Sequence, residues 1–211
     1  MLYPGRGDRA MGKAFAAWLM VAGVVAAPAT GPRETVETAV VRVVEVLQQP
    51  EATGPAQSER AAEIKRIARE LFDFDEIARR ALSRHWAGRT PVQHTEFVGL
   101  FTDLLERSYM NRIEAYAGER IVYTGEAVDG TFATVRSKVI TQRRTELGID
   151  YRMHLRGSRW QVYDVLIDGV SFVSTYRSQF DRVIQAESYG ALVERLRKRS
   201  LDTAVVDRKK L

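Results

Sequence analysis

Proton transfer and metal binding both require histidine or carboxylate groups brought together, so His85, His94, His154 and the carboxylate of Asp164 are the first residues to weigh. The three histidines lie far apart in sequence, and none has a neighbour at metal-ligand spacing. His154 falls on the polar side of an alternating strand, which favours a solvated histidine over a ligand or base. Asp164 is the sharper case. Alternation places its carboxylate on the same strand face as Trp160 and Val162, where an unpaired charge is costly. Arg177, or Arg152 from the adjacent strand, is the expected partner, and a structural ion pair outweighs a catalytic acid there. Asp164 with Tyr151 or Tyr163 is the only dyad open to a small-molecule enzyme built on a cone-shaped α+β fold. No G-x-S-x-G elbow, P-loop, G-x-G-x-x-G, HExxH or EF-hand loop occurs, and there is no cysteine to act as a nucleophile, disulfide or lipid attachment point. No catalytic residue, metal site or cofactor is predicted.

The elements that would position these residues divide by period. Val36, Val40, Val43, Val44 and Leu47 share one helical face, and Gln48 to Gln57, with Pro50, Gly54 and Pro55, reads as a loop. Ile64, Ile67, Ala68, Leu71 and Phe72 mark a second helix. Asp73 with Glu76 makes a capping box for a third, which carries Phe74, Ile77 and Ala81. Thr90 as N-cap, Pro91 and Gln93 start a fourth, with Phe97, Phe101, Leu105, Tyr109 and Ile113 on its apolar face and Gly118 placed to end it.

After Gly118 the period falls to two. Arg120 to Glu126, Phe132 to Thr141, Gly148 to Arg156 and Arg159 to Ile167 predict an antiparallel meander of four strands, with turns at Asp129-Gly130, Gly148 and Gly157-Ser158. In the third strand Ile149, Tyr151, Met153 and Leu155 share one face, opposite Asp150, Arg152, His154 and Arg156, so a single face is buried. Gly169 turns the chain and Ser171 caps a helix bearing Phe172, Tyr176, Phe180, Val183 and Ile184. Gly190 separates it from a last basic helix reaching about Ser200. Its Arg195, Arg197, Lys198 and Arg199 read first as a solvated helix end favoured by the dipole, and second as a contact for acidic membrane surfaces. The fold class is α+β: amphipathic helices on a curled four-stranded antiparallel sheet.

Export frames this domain. Arg6, Arg9 and Lys13 precede an apolar run from Ala14 to Ala27, and Ala27-Pro28-Ala29 offers the small residues that signal peptidase accepts. Residues 1–29 are therefore expected to be a signal peptide cleaved after Ala29, with Met11 as an alternative start. The run is shorter than the roughly 20 residues of a bilayer-spanning helix, and the polar stop-transfer flank of an uncleaved anchor is missing. The mature protein is expected to be soluble, with one domain over residues 30–200 and a frayed basic tail over 201–211. Without residues 1–29 the chain's 32 Lys and Arg and 27 Asp and Glu fall to 29 and 26, a net of +3 that is too mild to indicate nucleic acid.

At this point three stretches carry a resemblance: WQVYDVLIDGVSFVSTYRSQF from Trp160 to Phe180, FDFDEIARRALSRHWAGRTPVQHTEFVGLF from Phe72 to Phe101, and LLERSYMNRIEAYAGERIVY from Leu104 to Tyr123. Their ordered series FD, IAR, W, P-Q, F, LL, Y, YDV, GVS and YRSQF resembles the MlaC family, also called the toluene-tolerance auxiliary family, over roughly Val36 to Arg199. The resemblance implies a periplasmic carrier of glycerophospholipid whose acyl chains enter an apolar cavity between sheet and helices while the headgroup stays outside. It implies exchange with an inner-membrane ABC transporter complex carrying an MCE-domain subunit, and with an outer-membrane lipoprotein associated with a porin, so that outer-membrane lipid asymmetry is maintained. The bound phospholipid is cargo and not a cofactor. An envelope adaptor with a filled core is the competing class.

The candidate cavity wall combines Phe97, Phe101, Leu105 and Tyr109 with Val122, Val135, Val139, Tyr151, Met153 and Leu155, closed by Phe172, Tyr176 and Phe180. Each position is equally suited to plain core, since periodicity identifies a face and not whether the space behind it is filled. Asp164, Gly169, Ser171, Arg177 and Gln179 match the family pattern as scaffold: Gly169 for the turn, Ser171 as cap, and Arg177 with Gln179 tying helix to sheet. Gln142-Arg143-Arg144-Thr145 departs from the pattern and reads as a solvated hairpin before a docking element.

Overall fold

A computed structural model of the chain describes residues 30–49 and 54–199. The expected leader 1–29 with its cleavage site, Pro50 of the first loop, and the tail 201–211 lie outside the described residues. Among the described residues no helix is long and apolar enough to cross a membrane.

Proline opens three of the helices. Pro32 begins α1 (Pro32–Leu47), where Gly31 offers no side-chain cap and the sheet supplies one instead. The Arg33 backbone N–H donates to Glu126 Oε2 at 2.8 Å, placing a carboxylate at the positive helix end. Pro55 begins α2 (Pro55–Leu71) straight after Gly54 at φ +66°, so the loop expected as far as Gln57 stops at Gly54. In α3 (Phe74–Leu82) only half of the expected capping box forms. Asp73 accepts the Glu76 N–H at 3.0 Å, but the Glu76 carboxylate turns to Arg79 and Arg80, and the Asp73 N–H donates to Val162 O.

The box that opens α4 (Pro91–Glu114) is complete. The Gln93 N–H donates to Thr90 Oγ1 at 3.2 Å, and the Thr90 N–H donates to Gln93 Oε1 at 3.0 Å. Thr90→Ala is expected to lower stability by about 1 kcal/mol, read as a drop in Tm of about 2–4 °C in a thermal melt. The helix ends at Glu114 and not at Gly118, whose φ of +88° serves the turn into the sheet.

The sheet runs β1 (Arg120–Asp129), β2 (Phe132–Ile140), β3 (Glu146–Arg156), β4 (Arg159–Ile167) and β5 (Val170–Ser171), in chain order and antiparallel throughout. The two-residue β5 raises the expected four strands to five. Gly148 lies within β3, and the preceding turn falls at Thr141 to Thr145 with Arg144 at φ +61°. After β5 come α5 (Phe172–Ala186), capped by Ser171, and α6 (Tyr189–Arg197), capped by Ser188. Gly190 therefore sits inside α6 and is not the separator. The basic end of α6 is ion-paired, with Arg195 on Glu187 and Arg197 on Glu194 and Glu96.

Two bulges set the faces of the sheet. Register jumps between Tyr123 and Gly125 in β1, and Tyr163 is the extra residue in β4, since Arg152 pairs with Asp164 while Met153 pairs with Val162. Trp160 and Val162 join Met153 on one face, whereas Asp164 shares the other with Arg152. The expectation that Asp164 lies beside Trp160 and Val162 fails because one inserted residue inverts everything after it. Helices α1 and α2 pack on the Met153 face, and α3 to α6 gather beyond β4.

Candidate functional site

Apolar burial in this fold is divided. One cluster is helical: Phe97, Phe101 and Leu104 of α4 pack with Ile77, Ala81 and Leu82 of α3, Val173, Tyr176 and Phe180 of α5, and Leu192 and Leu196 of α6. Its centre is aromatic and tight. Phe101 meets the rings of Tyr176 and Phe180 at 5.0 Å each, both edge-on, and Phe97 meets Phe180 at 5.6 Å. The other cluster joins α1 and α2 to the sheet through Val36, Ile64, Ile67, Val135, Met153, Trp160 and Val162.

Between the two runs a seam of large apolar side chains that stay only half-buried. Leu105 and Phe172 border the helical cluster, while Met110, Ile113, Tyr123, Tyr151, Leu155 and Val165 border the sheet cluster, and Phe72 touches both. Tyr109 closes against Phe172 with ring centroids 4.8 Å apart. Further along the same sheet face Ile121, Val139, Leu147, Ile149 and Ile167 are half-buried as well. A domain of this size normally buries one contiguous core, so an uncompleted apolar strip between two cores marks a place suited to an apolar occupant. Burial pushes the phenols of Tyr109, Tyr123 and Tyr151 above their ordinary pKa, which keeps these rings neutral. At one end α2 is tied to α4 through Glu106, which accepts from Arg69 at 2.8 Å and pairs with Lys65 at 3.2 Å.

The thirteen residues proposed as cavity wall separate accordingly. Leu105, Tyr109, Tyr151, Leu155 and Phe172 lie on the seam, and Val139 lies at its far end. Phe97, Phe101, Tyr176 and Phe180 are fully buried in the aromatic cluster, and Val135 and Met153 in the sheet cluster. Val122 pairs with Lys138, so Ile121 and Tyr123 take the helix-side positions instead. Val165, Met110, Ile113, Tyr123 and Phe72 also border the seam and lie outside that set. For Val165 a signal existed, because a carboxylate at the supposedly apolar position 164 points to a shifted register.

The polar residues form scaffold. Asp164, buried, accepts from the Ser171 hydroxyl at 2.7 Å and the Val173 N–H at 3.1 Å, with Arg152 at 3.5 Å. It thereby anchors the start of α5 to the sheet, and Tyr151 lies on the opposite side of the sheet. The Tyr163 ring is covered by the Arg80 guanidinium at 4.0 Å. Gly169 has φ +79° and makes the turn. Arg177 is exposed and bonds Ser174 of its own helix, so among the described residues the expected tie to the sheet through Arg177 is not formed; Gln179 is half-buried on the same helix. His154 is not solvated: its Nε2 is 3.0 Å from Asp73 Oδ2, which Arg156 also approaches at 2.8 Å. Among the described residues no group of histidines and carboxylates has the arrangement of a metal site.

The MlaC protein family model matches residues 37–198, most of the chain. The chain belongs to the MlaC family. Toluene tolerance protein ttg2D of Pseudomonas putida is 27% identical to this MlaC-family chain over 124 residues, which span 58% of the chain and 58% of that relative. A solved structure, the phospholipid-binding protein of Ralstonia solanacearum in complex with a phospholipid, superposes with a TM-score of 0.69 at 27% identity, covering 81% of this chain and 97% of that one.

Proposed function

We propose that this MlaC-family protein binds glycerophospholipid, with the acyl chains in the seam between its two cores and the headgroup outside. The observation that carries the reading is the strip of half-buried Leu105, Tyr109, Tyr151, Val165 and Phe172, apolar and uncharged, where a continuous core would be expected. The phospholipid held by the Ralstonia relative supports it. Burying a methylene is worth about 0.8 kcal/mol, so one C16 chain in water is disfavoured by on the order of 12 kcal/mol and cannot cross an aqueous compartment unaided. A carrier replaces that water with apolar wall and needs no reactive group. Neutral phenols and aliphatic side chains suit reversible loading, because a tightly read headgroup would leave slowly.

In the same proposal the protein works in the periplasm, exported by residues 1–29. It takes and delivers lipid at an inner-membrane ABC transporter complex with an MCE-domain subunit and at an outer-membrane lipoprotein associated with a porin, helping to keep the outer membrane asymmetric. It is a carrier and not an enzyme.

Protein purified after export is expected to release glycerophospholipid on solvent extraction and to show the added mass in native mass spectrometry. Val165→Trp tests where the chains lie. The indole would enter the seam, lowering lipid per protein at least about fivefold with little change in Tm, since overpacking a filled core would instead destabilise by about 1–3 kcal/mol. Undiminished lipid in Val165→Trp would place the chains elsewhere. Lipid-free wild-type protein, together with a destabilised variant, would favour the filled-core adaptor.

A further inference from the structure

On the other side of the sheet from Tyr151 and Met153, a groove of about 740 Å³ runs between α3, the one-turn helix Ser83–His85, the start of α5 and the Arg152 side of β3 and β4. Its lining includes Arg79, Arg80, Arg84, Arg152 and Arg177. Their internal carboxylates are fewer. Arg79 and Arg80 share Glu76, and Arg84 uses Asp181. Arg152 reaches only to 3.5 Å from an Asp164 already engaged by Ser171 and Val173, and Arg177 has a hydroxyl for its partner. Among the described residues five guanidinium groups therefore face three carboxylates, one of them buried and occupied.

We infer that this groove docks an acidic, extended segment of a partner protein, its carboxylates taken by Arg177, Arg152 and Arg79. The groove is concave, so a flat bilayer surface cannot reach the arginines together, and its volume of about 740 Å³ exceeds what one phosphate would fill. The arginines already hold carboxylates here: Arg84 meets Asp181 through one contact at 2.5 Å, and Arg79 meets Glu76 through a two-bond fork at 2.7 and 2.6 Å, the geometry that an incoming Asp or Glu would repeat. Tyr163, under Arg80, gives the groove an aromatic floor. This surface is distinct from the seam, so partner docking and lipid occupancy can be altered separately.

The test uses fluorescein-labelled hexaglutamate and the full chain, followed by fluorescence anisotropy at physiological salt. R79A/R177A is expected to weaken binding about tenfold, with extracted phospholipid and Tm unchanged, and R177E alone to weaken it comparably. R143A/R144A, in the distant β2–β3 turn, is expected to leave binding within about twofold. Equal loss in the two double variants would reduce the effect to general charge and overturn the proposal. So would wild-type protein that ignores hexaglutamate, or inorganic phosphate displacing the peptide as well as free glutamate peptide does. A groove variant that loses binding to phosphatidylglycerol vesicles while keeping the peptide would assign the arginines to a membrane instead.

Discussion

Replacing Phe101 with alanine is expected to destabilise the protein by about 3–5 kcal/mol and to lower Tm by on the order of 10 °C. Phe101 is 1% exposed, and its ring is held edge-on by Tyr176 and Phe180 and flanked by Phe97 at 5.9 Å. Two helices contribute these rings and two more their neighbours, so the hole left by truncation cannot close by moving one side chain. Leu105→Ala, one turn further along α4, removes a half-buried residue that faces the seam and should cost about 1–2 kcal/mol. The comparison is a thermal or urea melt of both variants. Similar losses would mean that Phe101 also lines open space, and the division of α4 into a core half and a seam half would be wrong.

That division explains what the sequence could and could not reveal. The stripe Phe97, Phe101, Leu105, Tyr109, Ile113 is legible as one helical face, because side chains three and four apart overlie one another. Its depth is not legible. At about 1.5 Å per residue the 24 residues of α4 span about 36 Å, far enough for one continuous stripe to begin inside the aromatic cluster and to finish over the sheet. Nothing in the spacing marks the crossing between Phe101, which is buried, and Leu105, which is not. The four fully buried aromatic residues were accordingly grouped with the wall.

The sheet teaches the same lesson by another route. Alternation in Ile149, Tyr151, Met153 and Leu155 correctly assigned β3, since both its neighbours pair without an inserted residue on that strand. In β4 the only trace of the inserted Tyr163 is the carboxylate that strict alternation puts at an apolar position, so period-two counting alone carries Asp164 to the wrong face and passes over Val165. Val122 was misplaced for want of a reference: Val122 and Tyr123 are both good strand residues, and only pairing with Lys138 and Ser137 decides between them. Caps fared better, because a cap is a local bond. Thr90 with Gln93, Asp73 with Glu76, and Ser171 with Ser174 all show at least the first of the expected hydrogen bonds.

Asp164→Ala is the second change expected to be large, about 2–3 kcal/mol, or a fall in Tm of roughly 5–10 °C. The carboxylate is 5% exposed and answers three donors at once: the Ser171 hydroxyl, the Val173 N–H and, more distantly, Arg152. Alanine would leave the Val173 N–H buried without a partner and would remove a negative charge from the positive end of α5. Asp164→Asn separates these contributions. It keeps an acceptor oxygen in place and gives up the charge, so it should recover about half of the loss if acceptance and charge matter alike. Asn equal to wild type would assign the effect to hydrogen bonding alone, and Asn as poor as Ala would assign it to charge. A loss below about 0.5 kcal/mol for Ala would remove Asp164 from the role of anchor. The consequence reaches the other side of the sheet, because the first residue of α5 is Phe172, whose ring closes on Tyr109 across the seam. Loosening the start of α5 should therefore release bound phospholipid at temperatures below global unfolding, a difference that native mass spectrometry during a temperature ramp would resolve.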